Sequence, residues 1–344
     1  MGALAGRPAQ DRSGRSLPHL RYDRDATGPS LALAAAAALI SLAAYAADVA
    51  LHSRGLLLNW YDLGVYDHAG LIARHDPATL YSWQLAPGIK FTYTPFAAVA
   101  FAAGSLLPLG ILHWLMSAAS LAALAVTGWL TLGALGWPGR RRVTGALAIA
   151  ALALWTEPVL RALQLGQIEL VLMALVVWDL CQPDGRRWKG AGVGLAAGIK
   201  LVPLIFIPYL ILAGKVRQAA VAAAAFGATV AAGFALLPRP SDKWWLSGYF
   251  LHPGNVGDVG SLVNQSLLAV ITRAMGSMRA ATPAWLAVAA LITVAGLAAD
   301  ELQRLPHHYP GDPHPADLVA GLDVQALTTK HQLAPQLCRV VRTA

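Results

Sequence analysis

Long apolar blocks without charged residues alternate with shorter polar connections along most of the chain, and this alternation predicts a bundle of membrane-spanning helices. The first block covers residues 31–51 and carries no charge before Asp48. The later blocks lie near 95–136, 143–160, 167–181, 190–213, 218–237 and 283–299, with a weaker one near 263–275. Since a hydrocarbon core about 30 Å thick needs roughly 20 apolar residues per helix, the pattern predicts an all-α polytopic membrane protein with about 8–9 membrane segments.

The composition agrees with this pattern and excludes an ordinary soluble enzyme. Of the 344 residues, 56% are hydrophobic and 13% are charged, and the mean hydropathy is +0.52. Soluble domains have about 45–50% apolar residues, glycine included, and about 25% charged residues. Cys181 and Cys338 are the only two cysteines, which is too few for a disulfide framework or a four-cysteine zinc site.

The positive charges are grouped, and their grouping predicts the orientation of the chain in the membrane. The formal net charge is +8. Basic clusters lie at 7–24, 140–142, 186–189 and 215–217, whereas the long polar connections 52–90 and 238–262 hold few cations. Because cytoplasmic loops carry the excess of lysine and arginine, we expect 1–30 to be a cytoplasmic basic segment and both long connections to lie outside. With this placement, the surplus of positive charge gives no indication of nucleic acid binding. We expect residues 31–299 to form the transmembrane module.

Two segments leave the topology open. Ala44-Tyr45-Ala46 resembles a signal-peptide cleavage site, but the basic region before it is long for a signal peptide, so we expect a retained anchor. If 95–107 and 111–136 both cross the membrane, the arginines at 140–142 fall on the translocated side. Because that placement opposes the charge rule, we expect the short, proline-flanked 95–107 segment to be re-entrant or interfacial.

The chain becomes polar near Asp300, and we expect residues 300–344 to form a disordered or aberrant tail. His307 and His308 are adjacent there, but no further ligands follow at helical spacing. We therefore expect no metal site in the tail.

Ionisable residues inside or beside apolar blocks are the candidates for chemistry, because each must be paired, hydrated or functional to persist there. Asp62 lies among the aromatic residues of Trp60-Tyr61-Asp62-Leu63-Gly64-Val65-Tyr66. If this stretch is helical, Asp62 and Tyr66 share a face. A carboxylate at the lipid boundary is suited to act as a general base. The alternative is a helix cap in a hydrated loop.

Two cations are further candidates. Lys200 lies within the 190–213 block, so it needs either a lipid-linked phosphate or an internal carboxylate, unless it snorkels to the interface. Arg161 is the second, although Glu157 stands four residues before it. An internal ion pair between these two residues is therefore as good an interpretation as ligand binding.

Several polar and aromatic groups have two interpretations each. Gln167 and Glu169 open the 167–181 block, where an amide could donate to sugar hydroxyls or cap an interfacial helix. The aromatic cluster of the second long connection suits sugar stacking and interface anchoring equally; it consists of Trp244, Trp245, Tyr249 and Phe250. Asn264-Gln265-Ser266 fits a glycosylation sequon, which matters only in a secretory host.

A loose dinucleotide-binding pattern occurs at 192–197, but no strand precedes it and it lies within an apolar block, so we reject that interpretation. Gly194 and Gly198 instead have the GxxxG spacing that permits close packing of helices.

Five of these elements, taken in chain order, resemble glycosyltransferase family 87, the polyprenol-phosphate-mannose-dependent mannosyltransferases of actinobacteria that build phosphatidylinositol mannosides and lipomannan. The elements are Asp62-Leu63-Gly64-Val65-Tyr66, Phe91-Thr92-Tyr93-Thr94-Pro95-Phe96, Gly166-Gln167-Ile168, Ala197-Gly198-Ile199-Lys200-Leu201-Val202-Pro203 and Asn264-Gln265-Ser266-Leu267. Each element is weak alone, whereas the ordered set is specific and covers most of the membrane part.

The resemblance implies a C-type membrane glycosyltransferase fold in the plasma membrane, with the active site on the outer face. It implies that a hexose, mannose, moves with inversion from a polyprenyl-phosphate donor to a glycolipid or lipoglycan acceptor, without a metal or another cofactor. Asp62 matches the catalytic base, and Lys200 matches a position suited to the donor phosphate, with Arg161 as a possible second cation. The remaining matched positions are expected to bind substrate; they are Tyr66, Gln167, Asn264 and Gln265.

Two departures accompany the resemblance. Glu169 stands where the family usually has asparagine. The family also continues past Asp300 with further spans and a histidine-bearing outer motif, so we expect this chain to be truncated or frame-shifted there. The alternative function is a transporter or flippase of lipid-linked intermediates, which would need intramembrane cations but no base at Asp62; the internal symmetry common in transporters is not visible.

Overall fold

A computed structural model describes residues 31–52, 60–252, 259–261 and 264–304. The basic segment expected over 1–30 lies outside the described residues. So does the polar tail expected over 300–344, apart from its first five residues, which end the last helix.

Thirteen α-helices make up most of the described part of the chain. In chain order they are α1 Leu31–His52, α2 Tyr61–His75, α3 Pro95–Gly104, α4 Leu109–Ala134, α5 Gly139–Ala153, α6 Glu157–Leu165, α7 Glu169–Leu180, α8 Ala191–Ile199, α9 Phe206–Leu212, α10 Val216–Leu236, α11 Pro238–Ser241, α12 Leu267–Met275 and α13 Met278–Arg304. Short 3₁₀ turns lie at Pro77–Thr79, Val202–Ile205 and Tyr249–Leu251, and a π-helical turn lies at Asp242–Leu246.

The expected all-α class needs one correction, because the first long connection contains a small antiparallel hairpin. Strand β1 covers Gln84–Ala86 and strand β2 covers Ile89–Lys90, with Gln84 opposite Lys90. Gly88 has φ +84° in the turn, which glycine adopts without steric cost. The side-chain amide of Gln84 accepts a hydrogen bond from the Gly88 backbone N–H at 3.0 Å.

Two helices, α4 and α10, are long and apolar enough to cross a membrane. The block at 143–160, which the sequence presents as continuous, is instead divided between α5 and α6, whose axes differ by 75°, and this pair is a third candidate crossing. Pro158 explains the break, because in a continuous helix its ring would clash with the backbone carbonyl of Leu154, whereas proline is tolerated in the first turn of α6. The count of 8–9 segments remains a prediction.

The basic clusters lie at one end of the helix bundle, called here the basic end and comprising residues 140–142, 182–189 and 215–217. Arg217 donates hydrogen bonds to the backbone oxygens of Arg186 at 3.0 Å and Arg187 at 3.3 Å. Arg142 lies close enough to Cys181, at the end of α7, to interact with it electrostatically. Helix α3 has only ten residues, about half a membrane thickness. The short length agrees with the segment expected from the charge rule, and its re-entrant or interfacial placement remains a prediction.

Asp184 links two of the basic clusters, 186–189 and 215–217, within the basic end. Its carboxylate accepts hydrogen bonds from Lys189 at 2.8 Å and from Lys215 at 3.3 Å. Burial alone would raise the pKa of Asp184, but the hydrogen bond from Lys189 and the two ammonium charges outweigh it and lower the pKa. A second carboxylate, Asp179, is fully buried and accepts hydrogen bonds from the backbone N–H groups of Gly190 and Val193, which fixes the start of α8.

Helices α8 and α10 pack closely and in parallel, as the GxxxG spacing predicted. Gly194 faces Ala222 and Gly198 faces Thr229, and a Cβ atom at either glycine would overlap atoms of α10. Both helices therefore run from the basic end to the opposite end of the bundle. This packing brings Lys200, which directly follows α8, to that opposite end.

A hydrophobic core joins α2, α3 and the hairpin at the end opposite the basic clusters. Its fully buried members include Leu63, Tyr66 and Phe91. Gly70 permits the close approach of α2 and α3, because a Cβ atom there would lie 2.5 Å from the Phe101 carbonyl oxygen. The start of α2 is thereby fixed beside the end of α8.

Candidate active site

A cavity of about 560 Å³ opens at this end of the bundle, between α2, the hairpin, the turn after α6 and the end of α8. Its volume is within the range of about 300–1,000 Å³ that is typical of small-molecule sites. The charged and polar groups on its wall are Asp62, Lys90, Thr92, Thr94, Gln167, Lys200 and His252, and its aromatic groups are Tyr61, Tyr93, Trp244, Tyr249 and Phe250.

Asp62 lies in the first turn of α2, which confirms the helical interpretation of this stretch. Trp60 occupies the N-cap position with φ +34° and stacks on His113 of α4, with 3.7 Å between the ring centroids. The carboxylate of Asp62 therefore does not cap the helix. It accepts a hydrogen bond of 2.5 Å from the side-chain amide of Gln167.

The surroundings of Asp62 raise its pKa above the ordinary value of an aspartate. Burial is the main cause, and the charge of Glu169 adds to it, while the hydrogen bond from Gln167 and the charge of Lys200 act in the opposite direction. A carboxylate that is destabilised by burial and still held in place by a hydrogen bond is a stronger base than a hydrated one.

Lys200 forms an ion pair with Glu169, which begins α7. Of the partners that the sequence left open for this lysine, the structure shows the internal carboxylate. The Lys200 ammonium also lies 5.4 Å from the ring centre of Tyr93. The second carboxylate oxygen of Glu169 is buried and has no hydrogen-bond partner among the described residues.

The Gly166-Gln167 turn places the amide of Gln167 against α2. Gly166 ends α6 with φ +69°, and a Cβ atom there would lie 2.6 Å from the Cβ of Leu63. Glycine is required for both reasons, because its backbone adopts this conformation freely and because α2 passes directly over it. The neighbour of Leu63 is Asp62, so this contact sets the distance between Gln167 and the carboxylate.

The model of glycosyltransferase family 87 matches residues 91–306, which is more than half of the chain. The chain belongs to glycosyltransferase family 87. The motif resemblance seen in the sequence is thereby confirmed.

Curated relatives of this family 87 chain come from mycobacteria. It is 31% identical over 246 residues to the polyprenol-phosphate-mannose-dependent alpha-(1-2)-phosphatidylinositol pentamannoside mannosyltransferase of Mycobacterium tuberculosis, covering 70% of the chain and 56% of that protein. It is 33% identical over 225 residues to the equally named protein of Mycolicibacterium smegmatis, covering 63% and 53%.

A third relative is the polyprenol-phosphate-mannose-dependent alpha-(1-2)-phosphatidylinositol mannoside mannosyltransferase of Mycobacterium tuberculosis, 29% identical over 241 residues, covering 67% of the chain and 54% of that protein. The chain thus spans about half the length of these relatives. No solved structure matches it.

Four of the residues that the sequence assigned to the site of this family 87 protein do not line the cavity: Arg161, Tyr66, Asn264 and Gln265. Arg161 lies on the exposed face of α6, 3.8 Å from Glu157, the ion pair that was the alternative for both residues. Asn264 accepts a hydrogen bond from the Ser266 backbone N–H at 3.1 Å, just before α12. Gln265, which lies between Asn264 and Ser266 in the chain, is exposed.

Tyr66 lies behind the cavity wall. It is fully buried, and its hydroxyl is 2.7 Å from the hydroxyl of Tyr93, which does line the cavity. Thr94 begins α3 and donates a hydrogen bond to the backbone oxygen of Gly198. These contacts tie the family's first, second and fourth motifs together around the cavity.

Sequence reasoning missed the contribution of the hairpin, which places Lys90 on the cavity wall. A usable signal existed, because Lys90 is one of the few cations in the two long connections. Trp244, Tyr249 and Phe250 of the aromatic cluster line the opposite part of the wall. Within the described part of the chain, no group of three His, Cys, Asp or Glu side chains is placed to hold a metal ion.

Proposed function

We propose that this chain is a membrane mannosyltransferase that moves mannose from a polyprenyl-phosphate donor to a phosphatidylinositol mannoside or a related glycolipid. The observation that carries the proposal is the cavity in which the Asp62–Gln167 and Lys200–Glu169 pairs meet. Membership of family 87 and the names of the mycobacterial relatives support the donor and the acceptor class.

In the proposed reaction, Asp62 accepts the proton of an acceptor hydroxyl as that oxygen attacks the anomeric carbon of mannose. The bond between that carbon and the phosphate oxygen breaks, and the electron pair leaves with the polyprenyl phosphate. Attack from the face opposite the phosphate inverts the configuration, so a β-linked donor yields an α-linked product. Gln167 holds the carboxylate of Asp62 in one orientation during proton transfer.

Lys200 is the residue that the sequence assigned to the donor phosphate. Because Glu169 balances its charge, we propose that Lys200 acts at this site as a hydrogen-bond donor to the departing oxygen and not as an unpaired counter-charge. Charge-assisted donors that are fixed before the reaction stabilise developing negative charge effectively in a site of low dielectric constant.

The depth of the cavity suits a donor anchored in the lipid leaflet remote from the basic end. Thr229, which packs against the end of α8, lies fourteen residues beyond Lys215 on α10, a rise of about 20 Å from the basic end. The hydrocarbon core is about 30 Å thick. With the basic end in the cytoplasm, the cavity would open near the outer boundary of the membrane.

Donor choice tests this proposal. Membranes from cells that express the chain are supplied with radiolabelled mannose on polyprenyl phosphate or on a nucleotide, together with phosphatidylinositol mannosides. The proposal expects labelled glycolipid from the lipid donor alone. Label that enters the glycolipid only from the nucleotide sugar, with a lipid-phosphate synthase inhibited, would contradict it.

The hydrogen bond from Gln167 is expected to set the lower pH limit of activity. Gln167 lowers the pKa of Asp62, so Gln167→Leu raises that pKa further and moves the acid limb of the pH–rate profile to higher pH. Loss of a hydrogen bond to a charged group corresponds to a rate about 10-fold lower on the acid limb of the profile, with little change on the plateau above it. Initial rates between acid and neutral pH measure the shift.

Gln164→Leu is the matched control, since Gln164 lies one turn earlier on α6 and does not line the cavity. Its pH profile should coincide with that of the wild type. An unshifted acid limb in Gln167→Leu would show that this hydrogen bond does not govern the base.

A further inference from the structure

The charges on the cavity wall do not all have partners. Lys200 is paired with Glu169, and Asp62 is held by the neutral amide of Gln167. Lys90 also lines the cavity. Among the described residues, no carboxylate lies within 4.0 Å of its ammonium group, which is the limit for an ion pair. Lys90 therefore contributes a positive charge that has no ion-pair partner among the described residues of the wall.

The hairpin holds the backbone of Lys90 in place. Phe91, the next residue, is fully buried in the core beneath the site, and Leu85 of β1 packs against Gly64 of α2. Gln84 pairs with Lys90 across the strands. The side chain of Lys90 is partly buried, so it extends from an ordered position on the wall.

The remaining basic side chain of the wall, that of His252, is less suited to bind an anion. His252 is exposed, and its Nδ1 atom is 2.9 Å from the Gly248 backbone oxygen. Lys90, by contrast, is partly buried on the wall and has no carboxylate partner within the described ranges. A ligand that carries a permanent negative charge would therefore meet Lys90 as the unpaired lysine of the wall.

We propose that Lys90 binds the phosphate group of the lipid donor. This inference rests on the proposed function, because it names the group that recognises the donor at the same site. The donor is a phosphodiester with one negative charge, which Lys90 balances.

The role of Lys90 continues through the transfer step. When the bond between the anomeric carbon and the phosphate oxygen breaks, its electron pair stays on that oxygen, and the proton of the acceptor hydroxyl goes to Asp62. One negative charge thus passes from the base to the phosphate. Lys90 lies on the wall where it can stabilise that charge in the departing polyprenyl phosphate.

Direct binding of a lipid phosphate tests the inference independently of sugar transfer. Purified chain in detergent is titrated with farnesyl phosphate, a short polyprenyl phosphate. Loss of a charged hydrogen-bond partner in Lys90→Gln is expected to weaken binding about 10- to 100-fold. Lys90→Arg, which keeps the charge, is expected to remain near the wild type.

Arg74→Gln is the matched control, because it removes one exposed cation at the end of α2, outside the cavity wall. Farnesol, which lacks the phosphate, reports any general damage to the site and should bind Lys90→Gln and the wild type equally. Farnesyl phosphate binding that is unchanged in Lys90→Gln would overturn the inference. So would an equal loss of affinity for farnesol.

The transfer assay separates the two proposals. Binding that depends on Lys90 together with an absence of mannose transfer would support the phosphate site and contradict the proposed function. Transfer with an unchanged donor KM in Lys90→Gln would support the function and overturn the inference. A wild-type chain that binds no farnesyl phosphate would contradict both.

Discussion

Asp62→Asn is expected to lower the turnover number for mannose transfer by about 100- to 10,000-fold, the usual contribution of a general base. The asparagine side chain has nearly the same shape, so Gln167 can still contact it, but it cannot accept the proton of the acceptor hydroxyl. Initial rates with saturating lipid donor measure the effect, and the apparent melting temperature verifies that the protein remains folded.

Asp67→Asn is the control for this substitution. Asp67 lies on the same helix and loses the same carboxylate, yet it does not line the cavity and its closest ionisable neighbour is His68 at 4.0 Å. Its activity should stay close to that of the wild type. Comparable rates in Asp62→Asn and Asp67→Asn would remove Asp62 from the role of base.

Gly166→Ala is expected to destabilise the protein by about 2–5 kcal/mol, the sum of two separate costs. Alanine is strained at φ +69°, and its Cβ would press on Leu63 at 2.6 Å. Relief of that contact moves α2 away from the turn, so the hydrogen bond between Gln167 and Asp62 lengthens and activity falls together with stability. The apparent melting temperature in detergent and the transfer rate measure the two effects.

Gly214→Ala separates the two costs. Gly214 has nearly the same backbone conformation, φ +71°, but nothing lies within 4 Å of a Cβ atom there. It should lose only the conformational part, about 1–2 kcal/mol, with activity retained. If Gly166→Ala were no worse than Gly214→Ala in stability and activity, the close contact with Leu63 would have no role in positioning the site.

The parts of the site that could be predicted from the sequence are those determined by residues close together in the chain. Asp62 and Tyr66 were expected to share a face if their stretch is helical, and the structure shows that helix. The GxxxG spacing of Gly194 and Gly198 predicted the close packing that carries Lys200 to the site. In each case the signal lies within a few residues of the chain.

The parts that sequence could not predict depend on contacts between distant segments. Both Glu169 and Lys200 were recognised as unusual, but their pairing depends on α7 and α8 packing side by side. The position of Lys90 depends on a hairpin too short to give a strand pattern. The break between α5 and α6 was hidden because apolar residues continue across it, and only Pro158 marked it.

The most direct measurement is a stoichiometric transfer assay with the purified chain, β-linked mannosyl phosphopolyprenol and a phosphatidylinositol mannoside. We expect one polyprenyl phosphate to be released for each mannose transferred, and the new linkage to be α. A β-linked product would contradict direct inversion by Asp62. Hydrolysis of the donor without mannosylated lipid, or no reaction with the lipid donor, would contradict the proposed mannosyltransferase.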